Sequence, residues 1–283
     1  MGCVFRPQYP PESLIPAARA AEDAGLDELW LWEDCFLSAG ISSAAIALAS
    51  TSALTVGVGV LPVPMRNVAA TAMEIATLGR TFPGRVRIGV GHGVQDWMGL
   101  IGAKVASPMT LLGEYLRALR LLLDGGSVTV DGRYVKLDGV QLDWPPEPGM
   151  ELLCAAMGPK TLTLSGELAS GTVLGGGTTP EMVRNAVQTI GATDATTHSV
   201  VTYLHCSIGS EARRRAQEEA GRWDLDGELD DLAVYGSPQD IAASARRWID
   251  AGADTVVFQP EADVDIIDFV TTIGTDVQPR LTA

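Results

Sequence analysis

The stretch "LCAAMGPKTLTLSGELASGTVLGGGTTPE", residues 153–181, carries the strongest structural pattern in the chain. It begins with a short apolar run, continues through Gly158-Pro159-Lys160 into a helical pattern, and ends in a second apolar run and three glycines. Short apolar runs without polar alternation are typical of strands that are covered on both faces. The stretch therefore predicts two buried strands joined by a helix.

The same rhythm of strand and helix repeats along the chain. The eight predicted strands are Cys3–Arg6, Glu28–Trp32, Thr55–Val60, Val86–Val90, Leu152–Ala155, Thr172–Leu174, Val200–Ser207 and Thr255–Phe258. The predicted helices are Leu14–Ala24, Val68–Thr81, Thr110–Leu123, Lys160–Ala169, Pro180–Ile190, Glu211–Ala220 and Pro238–Ala251. Eight alternating strands favour an α/β fold of the (β/α)8 barrel type. A doubly wound open sheet is the alternative, because periodicity does not show whether a sheet closes.

One segment departs from this rhythm. "SVTVDGRYVKL", residues 127–137, predicts a β-hairpin that turns at Asp131-Gly132. It lies between the helix after the fourth strand and the fifth strand, so we expect an insertion. No linker or low-complexity tract interrupts the chain. We therefore expect residues 1–283 to form a single domain.

Composition excludes several classes of partner. Acidic residues outnumber basic ones by 35 to 20, a formal charge of −15, which argues against nucleic acid because phosphate binding needs a basic face. We expect no membrane segment, because no uncharged apolar run reaches about 18 residues. The N-terminus lacks a signal-peptide pattern, and the four cysteines are widely spaced, so we expect a cytoplasmic protein with reduced thiols. With three histidines in the chain, we expect no multi-histidine metal site.

Barrel active sites lie at the carboxyl ends of the strands, so the residues after each apolar run are the candidates. Glu33-Asp34 follows the second strand, and Gly91-His92-Gly93 follows the fourth. Glycines recur after strands three to six, and glycine lets a flat ligand approach the backbone closely. These residue types also occur in ordinary turns and helix caps. Their joint position at one end of the barrel favours a ligand site.

Gly158-Pro159-Lys160 is the most specific of these strand ends. Glycine leaves the backbone accessible, proline suits the first helical turn, and the free N–H groups of a helix N-terminus attract anions. Lys160 adds a positive charge, and Gly175–Thr179 leads to a second helix N-terminus, with Thr178 or Thr179 as a hydroxyl donor. We therefore expect this region to hold the phosphate of a cofactor.

The chain resembles the bacterial luciferase-like superfamily, in particular its flavin- and F420-dependent oxidoreductases, a branch that includes methylenetetrahydromethanopterin reductase. The matching blocks are "LWLWEDCF" (29–36), "VGVGVLPVPMRNVAATAMEIATLGRTFPGRVRIGVGHG" (56–93), "LGEYLRALRLLLDGGSVTVDGRYVKL" (112–137), "LLCAAMGPKTLTLSGELASGTVLGGGTTPE" (152–181) and "GSPQDIAASARRWIDAGADTVVFQP" (236–260). They occur in the family's order and span most of the chain.

The resemblance implies a (β/α)8 barrel with the cofactor ring at its carboxyl-end mouth and a non-prolyl cis peptide bond at Gly59-Val60. The cofactor-binding residues it implies are Gly59, Val60, His92, Gly93, Ala155, Ala156, Met157, Gly158, Pro159, Lys160, Gly175, Gly176, Gly177 and Thr178. Asp34, His92 and Glu33 are the catalytic candidates, although several F420 enzymes have histidine where this chain has Asp34. Phe36 and Trp97 are expected to wall the substrate pocket.

The function favoured by the resemblance is hydride transfer between coenzyme F420 and a small organic substrate. The alternative within the fold is an FMN-dependent monooxygenase that uses oxygen and a separate flavin reductase as partner. An alternative of another class is a flavin- or F420-binding protein without turnover. Proteins of this type often pair, so we expect a homodimer.

Overall fold

Parallel strands close into a barrel in the computed structural model, which describes residues 1–191 and 198–282. The strands are β1 (Gly2–Val4), β2 (Glu28–Leu31), β3 (Thr55–Pro62), β4 (Val86–Gly91), β5 (Val128–Asp131), β6 (Lys136–Val140), β7 (Leu152–Ala155), β8 (Gly171–Leu174), β9 (Ser199–Ile208), β10 (Ala233–Gly236) and β11 (Thr255–Pro260). Neighbours run in the order β11-β1-β2-β3-β4-β7-β8, and β9 pairs with both β8 and β11. This closure confirms the (β/α)8 barrel, and the open-sheet alternative is wrong.

Helices cover the outside of the barrel. They are α1 (Leu14–Asp23), α2 (Gly40–Ala49), α3 (Val68–Thr81), α4 (Gln95–Leu100), α5 (Pro108–Leu123), α6 (Pro159–Leu168), α7 (Pro180–Ile190), α8 (Ala212–Arg222), α9 (Leu229–Leu232), α10 (Pro238–Asp250), α11 (Ile266–Thr272) and α12 (Gln278–Thr282). Side chains cap several of them: Ser237 and Asp240 form a capping box at α10, and Asn67 accepts from the first turn of α3. Within the described residues, no helix is long and apolar enough to cross a membrane.

An extra parallel strand, β10, was not predicted. One edge of β9 pairs with β11 over residues 201–206. The other edge pairs first with β8 and then, further along the strand, with β10. β8 pairs with residues 199–202, and β10 pairs with residues 205–208. β10 is buried only at Ala233 and Val234 and is half-buried at Tyr235 and Gly236, so it lacks the continuous apolar run by which the other strands were predicted.

The predicted hairpin forms at residues 128–140, with β5 antiparallel to β6. Its turn differs from the expected Asp131-Gly132 pair, because β5 continues through Asp131, β6 begins only at Lys136, and the loop covers residues 132–135. The cause is Glu114 of α5, whose carboxylate accepts the backbone N–H groups of Arg133, Tyr134 and Val135. The insertion is therefore fixed to the outer helix layer.

The barrel interior is filled by one apolar layer above a polar layer. The apolar layer consists of Val4, Trp30, Leu153, Val173, Val201, Tyr203 and Val257. Below it, Arg87 binds Glu28 and Glu151 and also reaches Thr255 and Ser199. This network closes the amino end of the barrel and leaves the carboxyl end for a ligand.

Candidate active site

A cavity of about 420 Å³ opens at the carboxyl ends of the barrel strands. Pockets of this size are typical for small-molecule ligands. The predicted site residues that line it are Glu33, Asp34, Gly59, Val60, His92, Gly93, Trp97, Ala155, Ala156, Met157, Gly158 and Gly175. The fold thus brings together residues that lie up to 142 positions apart, from Glu33 to Gly175.

A second concavity of about 610 Å³ adjoins the first. The two share His92, Gly158 and Thr161, and the second also contains Pro159 and Lys160. The predicted cradle at the start of α6 therefore lies on the border between them. A ligand with a ring in the first cavity has room to extend into the second.

The floor of the cavity is the backbone of β3 at Gly59-Val60. The peptide bond between them is cis, as the resemblance implies, and the pairing of β3 with β4 shifts register between Val58 and Leu61. Val60 packs against the backbone of β4, where a Cβ on Gly89 or Gly91 would lie 2.6 or 2.9 Å from its methyl groups. The glycines of β4 are therefore needed to seat Val60.

Aromatic side chains support this floor from inside the barrel. Tyr203 donates a hydrogen bond to the Gly59 carbonyl oxygen at 3.1 Å. Its ring meets Trp30 edge-on, with centroids 6.0 Å apart, and lies 6.2 Å from the ring of Trp32. A Cβ on Gly59 would lie 2.4 Å from the Tyr203 hydroxyl, so only glycine fits above this support.

Asp34 is half-buried at the cavity wall. Its Oδ2 accepts a hydrogen bond from the indole Nε1 of Trp32 at 2.8 Å. Burial raises the pKa of the Asp34 carboxyl, and the hydrogen bond from Trp32 opposes that change. A carboxyl with a raised pKa at a cavity wall is suited to proton exchange.

Glu33, the other acidic candidate, is engaged elsewhere. Its carboxylate binds the Arg66 guanidinium at 2.8 Å and accepts the backbone N–H of Gly40 at 2.6 Å, at the start of α2. A carboxylate at a helix N-terminus is favourable because of the helix dipole. Glu33 lines the cavity, but these partners give its carboxylate a structural role that differs from the expected catalytic one. Arg66 also binds Glu74.

His92 lies where the two concavities meet. Its Nε2 is 3.4 Å from the Thr161 hydroxyl, and its Nδ1 is buried without a hydrogen-bond partner in the described chain. Burial lowers the pKa of His92. The polar backbone of Pro108 lies nearby and opposes this shift only in part. The ring is therefore neutral at pH 7 and has one nitrogen for a ligand.

The start of α6 has the properties of an anion cradle. Gly158 is the N-cap residue with no side-chain cap, and Pro159 follows at the first helical position. The Thr161 and Leu162 N–H groups bond to the Gly158 carbonyl, whereas within the described chain the Lys160 N–H has no partner. No atom lies within 4 Å of where a Gly158 Cβ would be, so the approach to the backbone is open.

The second predicted loop contributes less to the cavity than expected. Gly175 lines the cavity, whereas Gly176 packs against His205 and Gly177 against Leu225. Thr178 is buried, and its hydroxyl donates to the Gly175 carbonyl at 2.7 Å. The loop is thus held in shape by Gly176, Gly177 and Thr178, whose contacts lie outside the cavity lining.

The two aromatic residues expected in the substrate pocket behave differently. Trp97 of α4 lines the cavity. Phe36 does not: the Leu37 N–H donates to the Asp34 carbonyl, and this turn leaves Phe36 64% exposed to solvent. The expectation for Phe36 is wrong because the turn after Asp34 carries its side chain out of the cavity lining.

Several side chains that line the cavity were not predicted as site residues, among them Trp32, Thr161 and Tyr203. Trp32 and Tyr203 lie inside predicted apolar strands, where an aromatic residue is more often core than site. Only strand parity, which places alternate residues inside the barrel, would have indicated them.

In the described part of the chain, no three His, Cys, Asp or Glu side chains are grouped so that they could hold a metal ion.

Comparison with known proteins agrees with this geometry. The family model described as luciferase-like monooxygenase matches residues 6–255. The chain belongs to this family. A methylenetetrahydromethanopterin reductase of Methanolobus tindarius is 31% identical over 174 residues, which are 61% of this chain and 53% of that protein. The chain thus spans about half the length of this relative.

Another relative and two solved structures are matched over nearly their whole length. An F420-dependent glucose-6-phosphate dehydrogenase of Kineococcus radiotolerans is 25% identical, covering 97% of this chain and 94% of that enzyme. The structure of an F420-dependent tetrahydromethanopterin reductase from Methanopyrus kandleri superposes with a TM-score of 0.84 at 21% identity, over 99% of both chains. A Pseudomonas putida monooxygenase solved with FMN has a TM-score of 0.76 at 16% identity, over 99% of this chain and 98% of that one. Both structures share the barrel fold with this chain.

Proposed function

We propose that the protein is an F420-dependent oxidoreductase that transfers hydride between the deazaflavin ring and a small organic substrate. The observation that carries the proposal is the continuous pair of concavities, with the open cradle of Gly158 and Lys160 between them. Relatives named as F420-dependent glucose-6-phosphate dehydrogenases support the choice of cofactor.

The residues present fit such a cofactor. The Gly59-Val60 backbone, with Val60 seated on the glycines of β4, gives a floor for a flat ring, and the Lys160 N–H and ammonium group suit a phosphate. The bound cofactor would supply the hydride chemistry, while the protein supplies position and electrostatics.

We assign proton exchange to Asp34 and His92, which line the cavity and have polar side-chain atoms without a partner among the described residues. Asp34 gives a proton to the substrate oxygen or takes one from it, because its carboxyl is half-buried and only one of its oxygens is bonded. His92, which is neutral, contributes a hydrogen bond through one ring nitrogen. Trp97 limits the size of the substrate from the α4 side.

The test is the oxidation of reduced F420 by a panel of small acceptors, with the double variant Asp34→Asn, His92→Gln. We expect the rate of the chemical step to fall by about 100-fold or more, the usual contribution of general acid–base groups. We expect the Kd for F420 to change less than the rate of the chemical step, because Gly158 and Lys160 of the cradle are unchanged. Asp96 is exposed and lies outside the cavity lining. Asp96→Asn is therefore the matched control and should keep full activity. Unchanged turnover in the double variant would remove Asp34 and His92 from the mechanism.

FMN-dependent monooxygenation is the second candidate. Lys160 is the one Lys or Arg side chain of the described residues that lines either concavity. A single cation matches the single phosphate of FMN, whereas the longer anionic tail of F420 would meet few charges. In that case a separate flavin reductase would be the partner. Tight binding of a cofactor without any turnover would instead identify a carrier protein.

We also propose that the chain acts as one domain, that it forms a homodimer, and that it works in the cytoplasm. The proposal on location rests on the four cysteines, none of which forms a disulfide. Sedimentation of the purified protein tests the proposal on dimers. A monomer mass at micromolar concentration would contradict it.

A further inference from the structure

Trp32 connects the catalytic candidate to the floor of the cavity. It lines the cavity, is half-buried, and directs its indole N–H to Asp34 Oδ2 at 2.8 Å. In the described chain, this is the one side-chain hydrogen bond that the Asp34 carboxylate makes. The orientation of the carboxylate therefore depends on Trp32, and Oδ1 stays available.

The Trp32 ring is itself held by the support under the cavity floor. It lies 6.2 Å from the Tyr203 ring at 37°. Tyr203 is 5% exposed and bonds to the Gly59 carbonyl on its other side. One aromatic pair thus connects the carboxylate at the wall with the backbone that would lie under a bound ring.

The other titratable groups at the cavity do not replace this contact. Glu33 is paired with Arg66, the His92 ring bonds to Thr161, and Tyr203 bonds to Gly59. Cys35 follows Asp34 in the chain, and its thiol contacts Met65. Among the described residues, Trp32 is therefore the one donor that acts on the Asp34 carboxylate.

We propose that Trp32 is a positioning residue, whose N–H holds Asp34 Oδ2 against the Tyr203 support so that Oδ1 faces the substrate. This role rests on the proposed function, in which Asp34 exchanges a proton with the substrate. Loss of the N–H also removes the one contact that favours the ionised carboxylate. The pKa of Asp34 should then rise further, because burial is left unopposed.

The test follows the indole N–H signals of the cofactor-free protein by ¹⁵N NMR as the pH is changed. One of the six tryptophan signals, assigned to Trp32 by its loss in Trp32→Phe, should move with the Asp34 titration. That movement should vanish in Asp34→Asn. Carboxyl ¹³C signals of protein labelled at its aspartates give the pH midpoint of the Asp34 titration. The Asp34 signal is identified by its loss in Asp34→Asn. In Trp32→Phe this midpoint should move to higher pH by more than the scatter between replicates.

Tyr203→Phe is the matched control, because it removes a hydroxyl from the same support and leaves the indole N–H in place. It should leave the Asp34 midpoint unchanged. With F420 and an accepted substrate, Trp32→Phe should move the Asp34 limb of the rate profile to higher pH, with little change in the Kd for F420.

An unchanged Asp34 midpoint in Trp32→Phe would overturn the proposal. So would an unaltered protein in which none of the six indole signals responds to pH, a result that needs no assignment and does not depend on whether the variant folds. The NMR arm uses no cofactor. Absent F420 binding would therefore contradict the proposed function, whereas a static indole signal would contradict only the role of Trp32.

Discussion

Glu33→Gln separates a structural role of this carboxylate from a catalytic one. The Glu33 side chain is 5% exposed and that of Arg66 is 17% exposed, so the pair lies largely out of water. Removing one charge of a buried pair costs about 3–5 kcal/mol. Glutamine keeps an acceptor for the Gly40 N–H, and Arg66 keeps Glu74, so we expect about 2–3 kcal/mol of lost stability.

Thermal unfolding followed by circular dichroism measures this loss. A chain of this length has an unfolding entropy of about 0.6 kcal/mol/K, so Tm should fall by about 3–5 °C. Glu74→Gln is the matched control, because it removes the other carboxylate of Arg66 at a side chain that is 39% exposed. An exposed pair contributes about 0–1 kcal/mol, so this variant should lose less than about 2 °C. A Glu33→Gln protein with unchanged Tm but a hundredfold slower chemical step would refute the reasoning and restore Glu33 as catalytic.

Three further changes test the site and its surroundings. Gly158→Ala should keep its stability, because no atom lies within 4 Å of the new methyl group, yet it should weaken cofactor binding by blocking the backbone; an unchanged Kd in a titration would place the phosphate elsewhere. Lys160→Met should weaken binding by about three- to tenfold at low salt and less at high salt, and a Kd unaffected by either change would contradict a role for its charge. His205 is buried with its pKa lowered to about 4, so the unfolded chain binds its proton first as the pH falls below about 6.5, and stability is lost between pH 6.5 and 4. In His205→Gln the denaturant midpoint of unfolding should depend less on pH between pH 7 and 5. A midpoint that falls as steeply as in the unaltered protein would show that other groups cause the loss of stability.

The barrel could be predicted because its strands are buried on both faces. Runs such as Leu152–Ala155 and Thr255–Phe258 contain no polar alternation, and each predicted strand overlaps a barrel strand of the structure. The cradle at Gly158 was predictable for a similar reason, since a helix N-terminus is set by local sequence. The cis peptide bond at Gly59-Val60 came from the family resemblance alone.

The parts that were not predicted depend on contacts between distant residues. The partner of Glu33 lies 33 positions away at Arg66, and Tyr203 meets Gly59 across 144 positions. Neither distance can be read from residue type or spacing. Phe36 was expected in the pocket because it is apolar and follows a strand, but a single turn determines which way it faces.

The central claim is that the cradle beside the cavity binds F420. Separate fluorescence titrations of the purified protein with F420 and with FMN test it directly, with Gly158→Ala as the matched variant. The account predicts a Kd for F420 in the micromolar range or below, weak FMN binding, and loss of F420 affinity in the variant. Tight FMN binding with weak F420 binding would contradict the deazaflavin assignment and favour the oxygen-using alternative. Binding of neither cofactor would contradict the cradle itself.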